Sequence, residues 1–178
     1  MIKKNLPSSK RIKAALLVIY IVLVVYFMFF GFGRLQLDVT HQAYRFQIVP
    51  TGIPLWFPKH LQSDILKLWI FSLGNLLVFV PFGILIPMIF IRIKYLKFLL
   101  VFLIAIILLE ILQMITYLGS FDINDIIVNS IGATIGFLSY KMGNKAKSVP
   151  KKIIGTALLV LAFAFIMIAF AEVFNKLF

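Results

Sequence analysis

Six polar side chains stand within otherwise apolar sequence: Asn75, Glu110, Gln113, Asp122, Asp125 and Asn129. A carboxyl group close to a reacting atom serves as a general acid or base. The amides of asparagine and glutamine both donate and accept, so they can hold a ligand oxygen. A pair of carboxylates also offers hard oxygen ligands to a divalent cation of the Mg²⁺ type, although no spacing here specifies a metal and the cofactor stays open. Glu110 lies in mid-run with no cation within a helical turn. An ionisable residue so placed marks a functional site. Glu110 and Asp125 are therefore the candidate catalytic residues. Asn75, Gln113, Asn129 and Asp122 are the candidate binding residues, and Arg45, in a flanking loop, adds positive charge for an anionic ligand.

Each has a plainer explanation. Asp125 would also favour the positive end of a helix, with Asp122 or Asn124 as the cap. Asn75, Gln113 and Asn129 would also serve as hydrogen bonds between membrane helices. Glu110 has no helix end to stabilise.

The elements that position these residues follow from composition. The chain has 178 residues, is 62% hydrophobic and only 13% charged. Soluble domains carry about a quarter charged residues, so this is a polytopic membrane protein. Cysteine is absent, which excludes disulfides, thiolate metal sites and thiol nucleophiles. The net charge of +12 does not indicate a nucleic-acid partner, because the cations flank apolar segments, where they set topology and meet anionic lipid.

The apolar runs predict an all-α integral membrane protein, a bundle of about five transmembrane helices, over residues 14–32, 68–91, 98–118, 125–140 and 153–170. Residues 1–13 form a basic N-terminus, 14–142 the membrane domain with a long connection at 34–67, 143–152 a basic linker and 153–178 the segment of the last helix. Lys3, Lys4, Lys10, Arg11 and Lys13, then Arg92, Lys94 and Lys97, then Lys141, Lys145, Lys147, Lys151 and Lys152 alternate as one face requires. The positive-inside rule puts that face, and the N-terminus, in the cytoplasm and the C-terminus outside. The basic start and the Gly31-Phe32-Gly33 sequence also fit a signal peptide. The apolar run is longer than the about 7–15 residues of a signal core, so an uncleaved first helix is expected. Prolines 50, 54 and 58 forbid a regular helix in the 34–67 connection, and its aromatic residues predict a segment packed on the membrane interface. Tyr20 and Tyr26 fit no interfacial belt.

On this topology Glu110 lies roughly 12 Å and Asn75 roughly 10 Å below the outer surface. Gln113 shares a face with Glu110, as Asn129 does with Asp125, since residues three or four apart are neighbours on a helix. The polar residues thus form one layer in the outer half of the membrane. Gly132 and Gly136 make a GxxxG face for close packing, expected against the third helix. Pro81, followed by Gly83, is expected to kink the second helix beside Asn75.

The stretches GNLLVFVPFGILIP (74–87), EILQ (110–113) and FDINDIIVNSIGATIG (121–136) resemble the VanZ-like family. Asn75, Pro81, Phe82, Gly83, Glu110, Gln113, Asp122, Asp125, Asn129, Gly132 and Gly136 match its pattern in order and spacing. RFQIVPTGI (45–53) is similar to its Arg-x-x-Asn-x-x-Pro-Phe segment, with Gln47 or Ile48 where asparagine is common. Gly119 and Ser120 stand where many relatives have arginine. The resemblance implies a multi-pass protein of the bacterial cytoplasmic membrane, linked to teicoplanin resistance or cell-envelope homeostasis.

Three functions fit. An intramembrane enzyme would act on lipid head groups or lipid-linked wall precursors, with Glu110 as acid or base. A non-enzymatic binder would use the same layer to hold a glycopeptide, lipid or partner and limit drug access. A transporter component is the weaker fit, lacking an inverted repeat or a polar trail to the inner face. The sequence leaves the oligomeric state open.

Overall fold

The computed structural model describes residues 8–31, 44–58 and 62–177. Its helices are α1 (Ser8–Phe30), α2 (Ser63–Ile89), α3 (Tyr95–Ile115), α4 (Ile123–Gly143) and α5 (Val149–Leu177). Two short strands, β1 (Phe46–Gln47) and β2 (Phe121–Asp122), pair in parallel, Phe46 opposite Phe121 and Gln47 opposite Asp122. Lys3 and Lys4 of the basic N-terminus, Phe32 and Gly33, and residues 34–43 and 59–61 of the long connection lie outside the described residues.

Among the described residues four helices, α1, α2, α3 and α5, are long and apolar enough to cross a membrane. The fifth, α4, spends part of its 21 residues on Asn124, Asp125, Asn129, Ser130 and Ser139. Large apolar side chains such as Val22, Leu96, Leu161 and Ile153 cover the outside of the bundle. Apolar surface this continuous belongs against lipid; the chain is a multi-pass membrane protein. Helix ends depart from the apolar runs where polar residues extend a helix or a cap stops it. Both α1 and α5 continue into their basic flanks, since lysine and arginine are good helix formers. In contrast, α3 stops at Ile115, where the Thr116 hydroxyl donates to the Leu112 carbonyl at 2.7 Å and Tyr117 takes a φ of 58°.

Helix α4 is the hub. On one side it meets α2 backbone to backbone. A Cβ at Gly132 would overlap the Leu76 carbonyl oxygen, one at Gly136 the Val80 carbonyl oxygen, and one at Gly83 the Ala133 carbonyl oxygen. The GxxxG face therefore packs on α2 and not, as expected, on α3. The spacing defines a face for close approach but carries no information about which neighbour fills it. Between lipid-embedded helices there is no hydrophobic force, so dispersion at such short range is what holds them.

Two cores flank α4. Val24 of α1, Phe79 of α2, Phe98, Phe102 and Ile106 of α3, and Ile126, Ala133 and Phe137 of α4 form one. Leu55, Leu76 and Val80 meet Val128 and Ile135 of α4 and Ala164, Ile168 and Ala171 of α5 in the other.

Helix α2 runs through Pro81 and Pro87 as one helix. Pro81 has no N–H, so the Leu77 carbonyl loses its helical donor there. Beside it, Tyr20 Oη donates to the Val78 carbonyl at 2.6 Å. That bond explains a tyrosine well inside α1: it ties α1 to the locally weakened turn of α2.

The two ends of the bundle differ in kind. At one end Lys141 Nζ donates to the Ile91 carbonyl at 3.1 Å, joining the end of α4 to the α2–α3 turn. This is the basic end. At the other, the strands, the 44–58 segment, the start of α2 and the end of α5 come together. This is the loop end.

Candidate functional site

The 44–58 segment is built into the bundle. Thr51 N donates to Asn124 Oδ1 at 3.2 Å, and Asn124 Nδ2 donates to Thr51 Oγ1 at 3.1 Å. Two residues on, Ile53 N donates to Asn175 Oδ1 at 2.9 Å, and Asn175 Nδ2 donates to the Ile53 carbonyl at 2.7 Å. An amide side chain that both accepts and donates replaces a strand partner for the loop backbone. Trp69 Nε1 donates to the Trp56 carbonyl at 2.7 Å, and the Ser72 hydroxyl donates to the Pro54 carbonyl. Leu55 is buried beneath these contacts. Gly52, at φ 140°, lies against Asn175, where any Cβ would crowd Oδ1.

This frame positions the start of α4. Asp122 is its N-cap, accepting from Asn124 N at 2.8 Å, so of the two candidate caps Asp122 fills the role and Asn124 clamps the loop. Asp125 follows in the first turn, where a negative charge is favoured by the helix dipole. Asn75 Nδ2 of α2 donates to Asp125 Oδ1 at 3.4 Å. That pair is accessible: Asn75 is exposed and Asp125 half-buried. Arg45 is exposed, and its carbonyl accepts from Phe121 N at 3.0 Å, so it borders the same rim.

Below the rim the residues are buried. Glu110 is 2% exposed, Gln113 3% and Asn129 3%. Gln113 Nε2 donates to the Met28 carbonyl at 2.6 Å. It therefore fastens the end of α1 to α3, the interhelical hydrogen-bonding role that was its plainer explanation. Asn129 Oδ1 has no hydrogen-bond partner among the described residues. Depth brings Glu110 and Asn129 to one level. From the last residue of α3 to Glu110 is roughly 8 Å, and from the first residue of α4 to Asn129 is roughly 9 Å, at 1.5 Å per residue. Ile106 and Ile126 share a core cluster. Glu110 is one turn from Ile106 along α3, and Asn129 one turn from Ile126 along α4, so both face the α1–α4 interior. Within the described residues, no three His, Asp or Glu side chains gather as metal ligands.

Above Gln113, Tyr117 stacks on Tyr44 with ring centroids 5.0 Å apart. The hydrogen bond with Tyr44 raises the Tyr117 pKa above the ordinary tyrosine value, with desolvation adding to it, so its phenol stays neutral at physiological pH. Asn124, Thr51, Asn175, Ser72 and Trp69 were not foreseen as parts of this frame. For Asn124 the signal was present, a polar residue next to a cap, but its partner lies 73 residues away.

The class is defined by these features: a multi-pass membrane protein whose loop end carries a polar rim over buried amide and carboxyl groups. The chain belongs to the VanZ/LLP1 family, matched over residues 17–144, from within α1 to the end of α4. Protein VanZ of Enterococcus faecium is 33% identical over 92 residues, which make up 50% of this chain and 57% of that protein. The chain thus spans somewhat over half the length of that relative. No solved structure matches.

Proposed function

We propose that this protein is a bacterial cell-envelope protein of the VanZ kind that holds the head group of a lipid or lipid-linked wall precursor at its loop end, and so contributes to glycopeptide (teicoplanin) resistance. The observation that carries this reading is the pairing, at one depth, of a buried carboxyl group on α3 with a buried acceptor on α4 that lacks a partner among the described residues. A hydroxyl or ammonium group of a ligand would complete it. Asn75, Asp125 and Arg45 line the way in, and cation-rich flanks at the basic end support an orientation with the loop end outside. In this topology all five helices cross the bilayer, the polar α4 sheltered by its neighbours, and the membrane is the cytoplasmic one.

Holding is favoured over chemistry by how the layer is used. Gln113 is committed to the Met28 carbonyl and Asp125 is shared with Asn75; Glu110, 2% exposed, is the most buried carboxyl group in the site. Comparative mass spectrometry of lipids and lipid-linked precursors tests both. Deletion, wild-type, Glu110→Gln and Asp125→Asn strains with verified expression would be compared for lipids and for teicoplanin susceptibility. The holding reading expects resistance that falls in Glu110→Gln with an unaltered lipid inventory. A lipid species that depends on intact Glu110 would establish an enzyme instead. Resistance indifferent to both substitutions would remove the loop-end site from the function.

A further inference from the structure

Tyr117 is out of place by local rules. Helix α3 ends with Thr116 as its C-cap, and Tyr117 follows at φ 58°. Helices often take a left-handed residue at this point, and it is usually Gly, because a side chain there crowds the following carbonyl. Among the described residues Tyr117 is the one non-glycine at positive φ, and for a residue this bulky that is an outlier. The helix end does not ask for a ring. The Thr116 hydroxyl donates to the Leu112 carbonyl, and Tyr117 N donates to the Met114 carbonyl at 3.2 Å; neither bond uses the phenol. Backbone strain of this kind gathers at ligand clamps and active sites.

What the strain secures is a surface. The Tyr117 and Tyr44 rings lie with planes 12° apart and centroids 5.0 Å apart, which for near-parallel rings is an offset stack. The two phenols are hydrogen-bonded to each other. The strands fix the pair in place: Tyr44 lies just before β1 and Tyr117 just before β2, and Phe46 and Phe121 face each other in the sheet. Tyr117 covers one face of Tyr44, yet Tyr44 is 55% exposed, so its other face is open. The pair stands outside the helices, at the loop end. The next residue, Arg45, is exposed. Aromatic faces attract cations, but the charge of Arg45 disfavours a cation on this one. An acyl chain offers nothing to the phenol edge or the guanidinium. An uncharged or anionic ring with a flat C–H face and hydroxyls round its edge answers both. Its C–H groups meet the π face, and its hydroxyls reach the phenol oxygens and the guanidinium.

From this we infer that the Tyr44–Tyr117 pair is a saccharide platform at the loop end, on which a pyranose ring stacks with Arg45 at its edge. The inference rests on the head-group reading above and adds the chemistry of the head group, a sugar. Two sources carry such a ring, a lipid-linked wall precursor and a glycosylated antibiotic, and the test separates them.

The test uses the full chain in detergent and saturation-transfer NMR, with chitobiose, a disaccharide of N-acetylglucosamine, as the probe and choline as a cationic comparator. Transfer to the pyranose C–H protons is expected, and none to choline. Tyr44→Phe keeps the ring and should keep the sugar. Tyr44→Leu keeps the bulk without the ring and should weaken chitobiose about ten-fold. Tyr117→Gly relieves the left-handed backbone; it should weaken chitobiose to a similar degree while the thermal midpoint stays at or above that of the wild type. No transfer to chitobiose in the wild type, a preference for choline, or undiminished binding in Tyr44→Leu overturns the inference. So does a Tyr117→Gly protein that unfolds earlier and still holds the sugar, which would make the stack a support for the loop alone. Teicoplanin and its sugar-free aglycone separate the sources. A preference for teicoplanin that is lost in Tyr44→Leu places the antibiotic's sugars on the platform. Equal binding of the two, beside chitobiose binding that depends on Tyr44, assigns the platform to a wall precursor. The head-group reading fails separately. Chitobiose binding that depends on Tyr44, with resistance indifferent to Glu110→Gln and Asp125→Asn, leaves the platform standing and removes the buried site. Resistance lost in Glu110→Gln with no chitobiose binding in the wild type overturns the platform alone.

Discussion

The loop end and the basic end of this bundle are assembled from different interactions. At the loop end, backbone groups of an irregular segment are met by side chains: Thr51 by Asn124, Ile53 by Asn175, Trp56 by Trp69 and Pro54 by Ser72. Toward the basic end, rings do the packing. Phe98 stacks on Phe137 at 4.8 Å and lies 6.2 Å from Phe102, and Tyr95 meets Phe137 at 5.5 Å. Irregular backbone is tolerated near a bilayer only where protein satisfies its hydrogen bonds. The described 44–58 segment meets that condition through these side chains. The basic end has regular helices and relies mainly on shape, with Lys141 bonding the Ile91 carbonyl at its turn. The comparison teaches that burial alone does not reveal what a polar side chain in a membrane chain does: Gln113 and Glu110 are equally buried, and only the neighbours show that Gln113 satisfies a carbonyl of α1.

The largest effect should come from the contact both ends share. Gly132→Leu places a branched side chain against the Leu76 carbonyl. Overpacking against yielding side chains costs about 1–3 kcal/mol, occasionally more; here the obstacle is backbone with no room to yield, so the cost should exceed that of any truncation, with loss of the folded protein in detergent by size-exclusion chromatography and thermal unfolding. Phe98→Ala should come next, at about 3–5 kcal/mol by analogy with buried aromatic truncations. Its effect should be confined to the basic half, so that hydrogen exchange slows no less at residues 51–56 than in the wild type. Loss of loop protection in that variant would show that the two ends are one cooperative unit. Asn175→Ala should cost about 1–3 kcal/mol, the penalty of leaving the Ile53 backbone groups unsatisfied, and should raise exchange and proteolysis within 50–57 alone. The smallest effect belongs to Asp64→Ala. Its pair with Lys67, 3.4 Å apart, has side chains 88% and 69% exposed. Exposed pairs contribute about 0–1 kcal/mol, so thermal unfolding should shift little, and less still at high salt.

The helices were legible because apolar runs long enough to cross a bilayer have few other fates. Their ends were less so. Residues 8–13 and 171–177 are polar or mixed yet helical, because lysine-rich flanks continue a helix once it has started. The Asp122 cap could be read from one residue and its position. Partners across the fold could not. A glycine pair announces a close approach but not that α2 makes it. Tyr20 looked misplaced until Val78, 58 residues away, stood beside it. Asn175 had no motif to recommend it, since an amide near the end of a helix is common and its value here comes from a loop 122 residues earlier. For the candidate site, residue type and depth were readable, while which amides are committed to the architecture needed the neighbours.

The Ile53–Asn175 link also has a consequence in time. Chains emerge and fold from the N-terminus onward, so the loop exists well before the helix that secures it. Until α5 arrives, Ile53 lacks its partner. The loop end is therefore completed by the last helix described, and a chain halted before Asn175 would be inserted yet unfinished. Competence of the loop end thus reports that synthesis has passed that point.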